Sequence, residues 1–137
     1  MTDLGPDLAH LYARVLVAVA RADHEIGFEE GLRLEQRINA RCREPIAIED
    51  VLLSAPIDPA ELARAVVGEG PFRGSPVHPA ELAHTLVTDG VAILLAKGHA
   101  TESEARSLRR YAAALGLPDD DFRALTEAAS KWWPRSV

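Results

Sequence analysis

The stretch Ala22-Asp23-His24-Glu25-Ile26-Gly27-Phe28-Glu29-Glu30-Gly31-Leu32-Arg33-Leu34 decides the fold. Ahead of it, Leu8, Leu11, Val15, Val19 and Ala22 recur at helical spacing, and Val17 and Ala18 widen that face. A helix this apolar is expected at the centre of the molecule. Behind the stretch, Phe28, Gly31, Leu34, Ile38 and Cys42 form a second helical face. Gly27 interrupts the periodicity, so the stretch is a tight corner between two helices. Asp23, Glu25, Glu29 and Glu30 place four carboxylates around this corner, with His24 among them. Glu29 and Glu30 fall in the first turn of the second helix, where negative charge favours the helix dipole.

The same layout returns about 74 residues later, in Ala96 to Leu108. At that offset Leu8 meets Leu82, His10 meets His84, Val17 meets Val91, Ala22 meets Ala96, Glu30 meets Glu104 and Leu34 meets Leu108. The chain therefore reads as an internal tandem, with half-repeats near 6–44 and 80–118, inside a single all-α domain spanning 1–137. Helices are predicted over 6–22, 28–43, 47–54, 59–68, 79–96, 102–115 and 119–133, about seven in all. Pro6 suits a first helical turn, with Asp3 or Gly5 ahead of it as the start signal. Asp58-Pro59-Ala60-Glu61 is an N-cap, an N1 proline and an N3 glutamate. Thr101-Glu102-Ser103-Glu104 is a capping box and the clearest helix start in the chain. Gly116-Leu117-Pro118 ends one helix, and an aspartate after it caps the last. Gly70 to Pro79 is the longest loop, with Phe72 and Val77 expected to pin it to the body.

Composition narrows the function classes. Hydrophobic residues make up 47% and charged residues 26%, ordinary values for a globular chain, while aromatics at 5% favour closely packed helices over sheets. The net charge of −6 speaks against a nucleic-acid partner, since phosphate binding needs clustered Lys and Arg. It is compatible with cations or a basic partner. Cys42 stands alone, so no internal disulfide forms, and its place on the apolar side of its helix marks a small core residue. The first residues carry no basic signal-peptide region. Leu11 to Ala22 is too short, and too interrupted by Arg14 and Arg21, to span a bilayer. A cytoplasmic location without membrane insertion is the expectation.

The pattern Ala-Asp-x-x-Ile-x-x-x-Glu-x-x-x-Leu between two apolar helices resembles the tellurite-resistance TerB-like family. Members carry an Ala-Asp-Gly-x-x-x-x-x-Glu corner, often in two copies related by a pseudo-twofold. The copies here are Ala22-Asp23-His24…Glu30 and Ala96-Lys97-Gly98…Glu104, so the likeness covers nearly the whole chain. His24 stands where the family has glycine in the first copy, and Lys97 where it has aspartate in the second. The resemblance implies an all-helical TerB-like fold, and roles in tellurite or other chemical-stress responses and in metal association.

The residues themselves leave several chemistries open. Asp23, Ile26 and Glu30 match three EF-hand loop positions, but the first and third positions would be Val19 and Arg21, which cannot ligate calcium. A looser divalent-cation site is conceivable from Asp23, Glu25, Glu30 and His24, because hard cations want several oxygens in one concave place. The alternative is that Asp23 caps the loop while Glu29 and Glu30 decorate a helix start. At the second corner Lys97 would repel a cation. If the repeat is a pseudo-twofold, Lys97 approaches Asp23 as a built-in counter-charge. His10 and His84 occupy equivalent positions and are expected half-buried, and no histidine pair has the spacing of a helical zinc site. Asp89 falls in register with Val15, either as a buried acid or as part of a loosened, exposed Thr88-Asp89-Gly90 turn. Trp132-Trp133 is either a partner-binding anchor or a tie for the last helix.

Three functions follow from these readings. The first is a non-enzymatic TerB-like binding module in a cytoplasmic stress response, with a weak divalent-cation site at the first corner. The second is a protein-interaction adaptor or homodimer without metal. The third is an acid–base enzyme pairing Asp89 with His84 or His10.

Overall fold

The computed structural model describes residues 4–66, 78–135 and 137. Along them run α1 (Pro6–Ala20), α2 (Phe28–Asn39), α3 (Ile48–Leu52), α4 (Pro59–Val66), α5 (Pro79–Leu95), α6 (Glu102–Ala114) and α7 (Asp119–Thr126), followed by a 3₁₀ helix, Glu127–Trp132. No sheet occurs among the described residues; the one β-type pairing is an isolated bridge between Leu4 and Cys42. The fold is all-α. Phe72, Val77 and most of the Gly70 to Pro79 loop lie outside the described residues, as does Asp3.

The apolar pattern of α1 predicts a central helix, and α1 is one. It buries Leu8, Leu11, Tyr12, Val15, Leu16 and Val19 and packs against α2, α3, α5 and α6. On α2 the buried stripe is narrower, consisting of Gly31, Leu34 and Ile38. Phe28, expected on that stripe, is instead 82% exposed. Helix α5 runs without a break through Thr88-Asp89-Gly90, with Asp89 and Gly90 both buried. Gly90 costs about 1 kcal/mol of helix propensity relative to alanine. Its absent side chain makes room for α6, since a Cβ there would stand 2.7 Å from Leu108 Cδ1 and 2.8 Å from Cδ2.

At the two helix ends that differ most from expectation, a named interaction is responsible. Helix α2 stops at Asn39 rather than near 43, and the backbone beyond it pairs with the N-terminal segment. Leu4 donates to the Arg41 carbonyl at 2.8 Å, and Arg43 donates back to Leu4 at 2.9 Å. Cys42, on this edge, is half-buried with its thiol 3.0 Å from the Ile38 carbonyl, and burial raises its pKa. Helix α7 gives way to 3₁₀ geometry after Thr126, whose hydroxyl donates to the carbonyls of Phe122 and Arg123. Such back-bonding competes with the regular ladder. The N-cap of α7 is Pro118 rather than an aspartate; Asp119, Asp120 and Asp121 occupy the first turn, where they complement the dipole. The tryptophans divide: Trp133 is buried, its ring centroid 6.2 Å from that of Phe122, while Trp132 is 47% exposed with Lys131 over its ring. No described helix is long and apolar enough to cross a membrane.

Two expected helix starts are present. Asp58 Oδ1 accepts from the Glu61 amide at 2.8 Å. At Thr101 the capping box is complete, with the Glu104 amide donating to Thr101 Oγ1 at 3.2 Å and the Thr101 amide to Glu104 Oε1 at 2.9 Å. Thr101→Ala removes one half of this exchange and should cost about 1 kcal/mol. Urea unfolding measures it; a variant with wild-type stability would show that α6 holds its first turn without the cap.

Candidate functional site

The corners between α1 and α2 (residues 21–27) and between α5 and α6 (residues 96–101) lie side by side. His24 at the first corner reaches both glutamates that lie 74 residues apart in the sequence, Glu30 and Glu104. Its Nε2 is 3.0 Å from Glu30 Oε1, and its Nδ1 is 3.7 Å from Glu104 Oε2. Glu104 is fully buried and also receives the Lys97 ammonium. Lys97 therefore finds its direct partner in Glu104, one turn into its own helix, rather than in Asp23. Asp23 faces the start of α6. There the Thr101 and Ser103 hydroxyls, and then the charges of Lys97 and His24, hold its carboxyl below the usual range.

Of the four residues proposed as cation ligands, the structure brings two into contact. His24 and Glu30 bond to each other, Asp23 lies against α6, and Glu25 turns away to Arg21, 3.2 Å from its Nη2. Among the described residues no group of three or more His, Cys, Asp or Glu side chains converges in a way that could hold a metal ion.

The second polar centre joins three helices. Asp89 on α5 has no solvent exposure and is surrounded by donors. Arg37 Nε donates to its Oδ1 at 2.8 Å; Arg41 Nη2 donates to Oδ1 at 2.9 Å and Arg41 Nε to Oδ2 at 3.1 Å; the Tyr12 hydroxyl donates to Oδ2. The buried reading of Asp89 is the correct one. Neither histidine proposed beside it is among its partners. His10 is half-buried with its Nε2 3.3 Å from Ser54 Oγ, and His84, expected half-buried, is exposed. Burial, and then the charge and hydrogen bond of Asp89, push the Tyr12 phenol well above its ordinary value of 10.0. The Asp89 hydrogen bonds also raise the pKa of Arg41. Sequence reasoning missed Tyr12, Arg37 and Arg41. The one local signal was the i, i+4 spacing of Arg37 on α2 and Arg41 just beyond its end, and their partner lies 52 and 48 positions away.

Arg37 links this centre to the surface. Its side chain is 39% exposed and lines a cavity of about 380 Å³ between α2 and α5, with Arg33 and Gln36 on one wall and Ala92, Ile93 and Ala96 on the other. A second cavity of about 470 Å³ shares Arg33 and Ile93 with it and runs to the first corner, where His24, Glu25, Phe28, Glu29, Glu30 and Lys97 line it. Arg33 is exposed and makes no ion pair or hydrogen bond among the described residues.

Tyr12→Phe should lower stability by about 1–3 kcal/mol at neutral pH, because one donor to a buried carboxylate is lost. The raised phenol pKa adds a pH signature. The stability that Tyr12 contributes is complete below its ordinary value and drains away as pH rises through the folded value. The gap between wild type and variant should therefore narrow above about pH 10. Chemical unfolding across that range measures it, and a constant gap would show that folding leaves the phenol's ionisation unchanged. Comparison with known proteins finds no family model, no curated protein and no solved structure that matches this chain.

Proposed function

We propose that this chain is a non-enzymatic binding module, TerB-like in the layout of its corners, whose working surface is the first corner and the outer face of α2. The observation that carries this reading is Phe28. It is the first residue of α2, it is 82% exposed, and it stands on the rim of the cavity that reaches the paired corners. Scattered apolar residues on a surface are ordinary, but a bare aromatic beside a concave surface is the usual form of a binding anchor. Leu32, one turn further along α2, is 42% exposed and extends the apolar surface. A setting in the cytoplasmic response to tellurite or other chemical stress comes from the resemblance of the corners.

The experiment places a photoreactive phenylalanine analogue at position 28 and, as control, at Arg110 on α6. Irradiation in cells should give a discrete higher-mass adduct from position 28 and none from position 110. Equal labelling from both positions, or none from either, would overturn the surface assignment. Phe28→Ser should change folding stability by no more than about 0.5 kcal/mol, since the ring packs on little.

A second reading is a weak divalent-cation site at the first corner, motivated by the contact of His24 Nε2 with Glu30 at 3.0 Å and by the charge that Lys97 places on Glu104. On this reading the Lys97 ammonium takes the place that a cation would have on Glu104. Lys97→Asp exchanges that ammonium for a further carboxylate, and the melting temperature of this variant should rise with added Mg²⁺ or Ca²⁺. Identical melting with and without cation would dispose of the idea.

A further inference from the structure

We infer that the groove between α2 and α5 receives an acidic amphipathic helix of a partner protein, with carboxylates on Arg33 and Arg37 and an aliphatic side chain on Ala92, Ile93 and Ala96. This rests on the binding-module reading and names the partner's chemistry.

Arg37 is the built part of the site. The buried Asp89 carboxylate takes its Nε at 2.8 Å and so orients the guanidinium plane. Its terminal nitrogens make no bond among the described residues and are left for a ligand. Guanidinium groups receive carboxylates through paired N–H donors, and one that is already oriented loses less freedom on binding. Arg33 lies one helical turn away on the same helix, exposed and without a partner among the described residues. Two guanidinium groups at i, i+4 match two carboxylates at the same spacing on a partner helix, since both sets repeat at one turn.

The opposite wall selects against simpler anions. Ala92, Ile93 and Ala96 offer methyl groups with no polar atom beyond the backbone. They suit the aliphatic side chain that an amphipathic helix carries beside its carboxylates. Inorganic phosphate has nothing to place there. Polyanions such as nucleic acid meet a chain of net charge −6, and two arginines are too few to offset it. Phe28 stands in the adjoining cavity, where Glu25, Glu29 and Glu30 also line the wall, so the carboxylates of a partner helix are placed at the Arg33 and Arg37 end of the groove.

The test titrates isotope-labelled full-length protein with a synthetic helix of about 15 residues that carries Glu and Leu on one face. Expected are saturable shifts confined to amides of α2 and α5. Replacing Glu by Gln in the peptide should weaken binding about tenfold, and Arg33→Gln in the protein about three- to fivefold, as exposed ion pairs do. Arg110→Gln should leave the affinity unchanged. Glu and Gln peptides binding alike would overturn the proposal, as would phosphate competing at millimolar concentration, or shifts that appear on dilution of the protein alone and not on adding peptide. If the peptide fails while the adduct at position 28 persists, the acidic helix is wrong and the binding module stands. Failure of both removes both.

Discussion

The buried carboxylate of Asp89 is the constraint on which the arrangement of helices depends. A charge without solvent exposure is tolerated only where donors surround it, and here they come from two other helices: Tyr12 on α1, Arg37 on α2 and Arg41 just beyond the end of α2. No smaller set of elements satisfies the group. Tyr12 needs α1 and α5 in contact, and the two arginines need α2 laid along α5 in one register. A buried ion pair of this kind contributes modestly to net stability, because desolvation offsets much of the attraction. Its effect is on position. The N-terminal segment adds to this, since Leu4 pairs through its backbone with Arg41 and Arg43 and so fixes the chain that carries the second guanidinium.

The paired corners are a second, partly exposed network. Glu104 serves three purposes with one carboxylate: it closes the capping box of α6, receives the Lys97 ammonium and stands within reach of His24 from the other corner. Glu30, at the 74-residue offset from it, binds only His24 among the described residues. The two departures from the resembled motif, His24 and Lys97, thus supply the two cationic or imidazole groups that meet these glutamates. From the other side, the Ala100 amide donates to the Trp132 carbonyl at 3.1 Å, so the C-terminal 3₁₀ helix holds the second corner in place.

These two networks account for the character of the surface between them. Arg37 is anchored below by Asp89 and open above, and Lys97 is drawn inward to Glu104. The groove along α2 and α5 therefore presents a directed cation at one end and Phe28 at the other. A chain that is acidic overall carries in that groove an exposed Arg33 that is unpaired among the described residues, on a helix whose apolar residues are not all used by the core.

The sequence by itself determined the helices. Periodicity over Leu8 to Ala22, the capping box at Thr101 and the proline starts at Pro6, Pro59 and Pro79 are local signals, and each acts within one or two helical turns. The all-α class and most element boundaries follow from them. The boundaries that moved, after Asn39 and after Thr126, did so where the Leu4 carbonyl takes the Arg43 amide and where a back-bonding hydroxyl shares the helix carbonyls. Tertiary structure alone decided which polar residues meet. Asp89 could be buried or exposed as far as its neighbours Thr88 and Gly90 tell, because its three partners come from positions 12, 37 and 41. The direction of Phe28 was equally hidden: it continues the apolar period of α2, yet the stripe that α1 and α5 cover ends at Gly31. Lys97 turned to Glu104 rather than Asp23 because a buried carboxylate gains more from an ammonium than one that water already solvates.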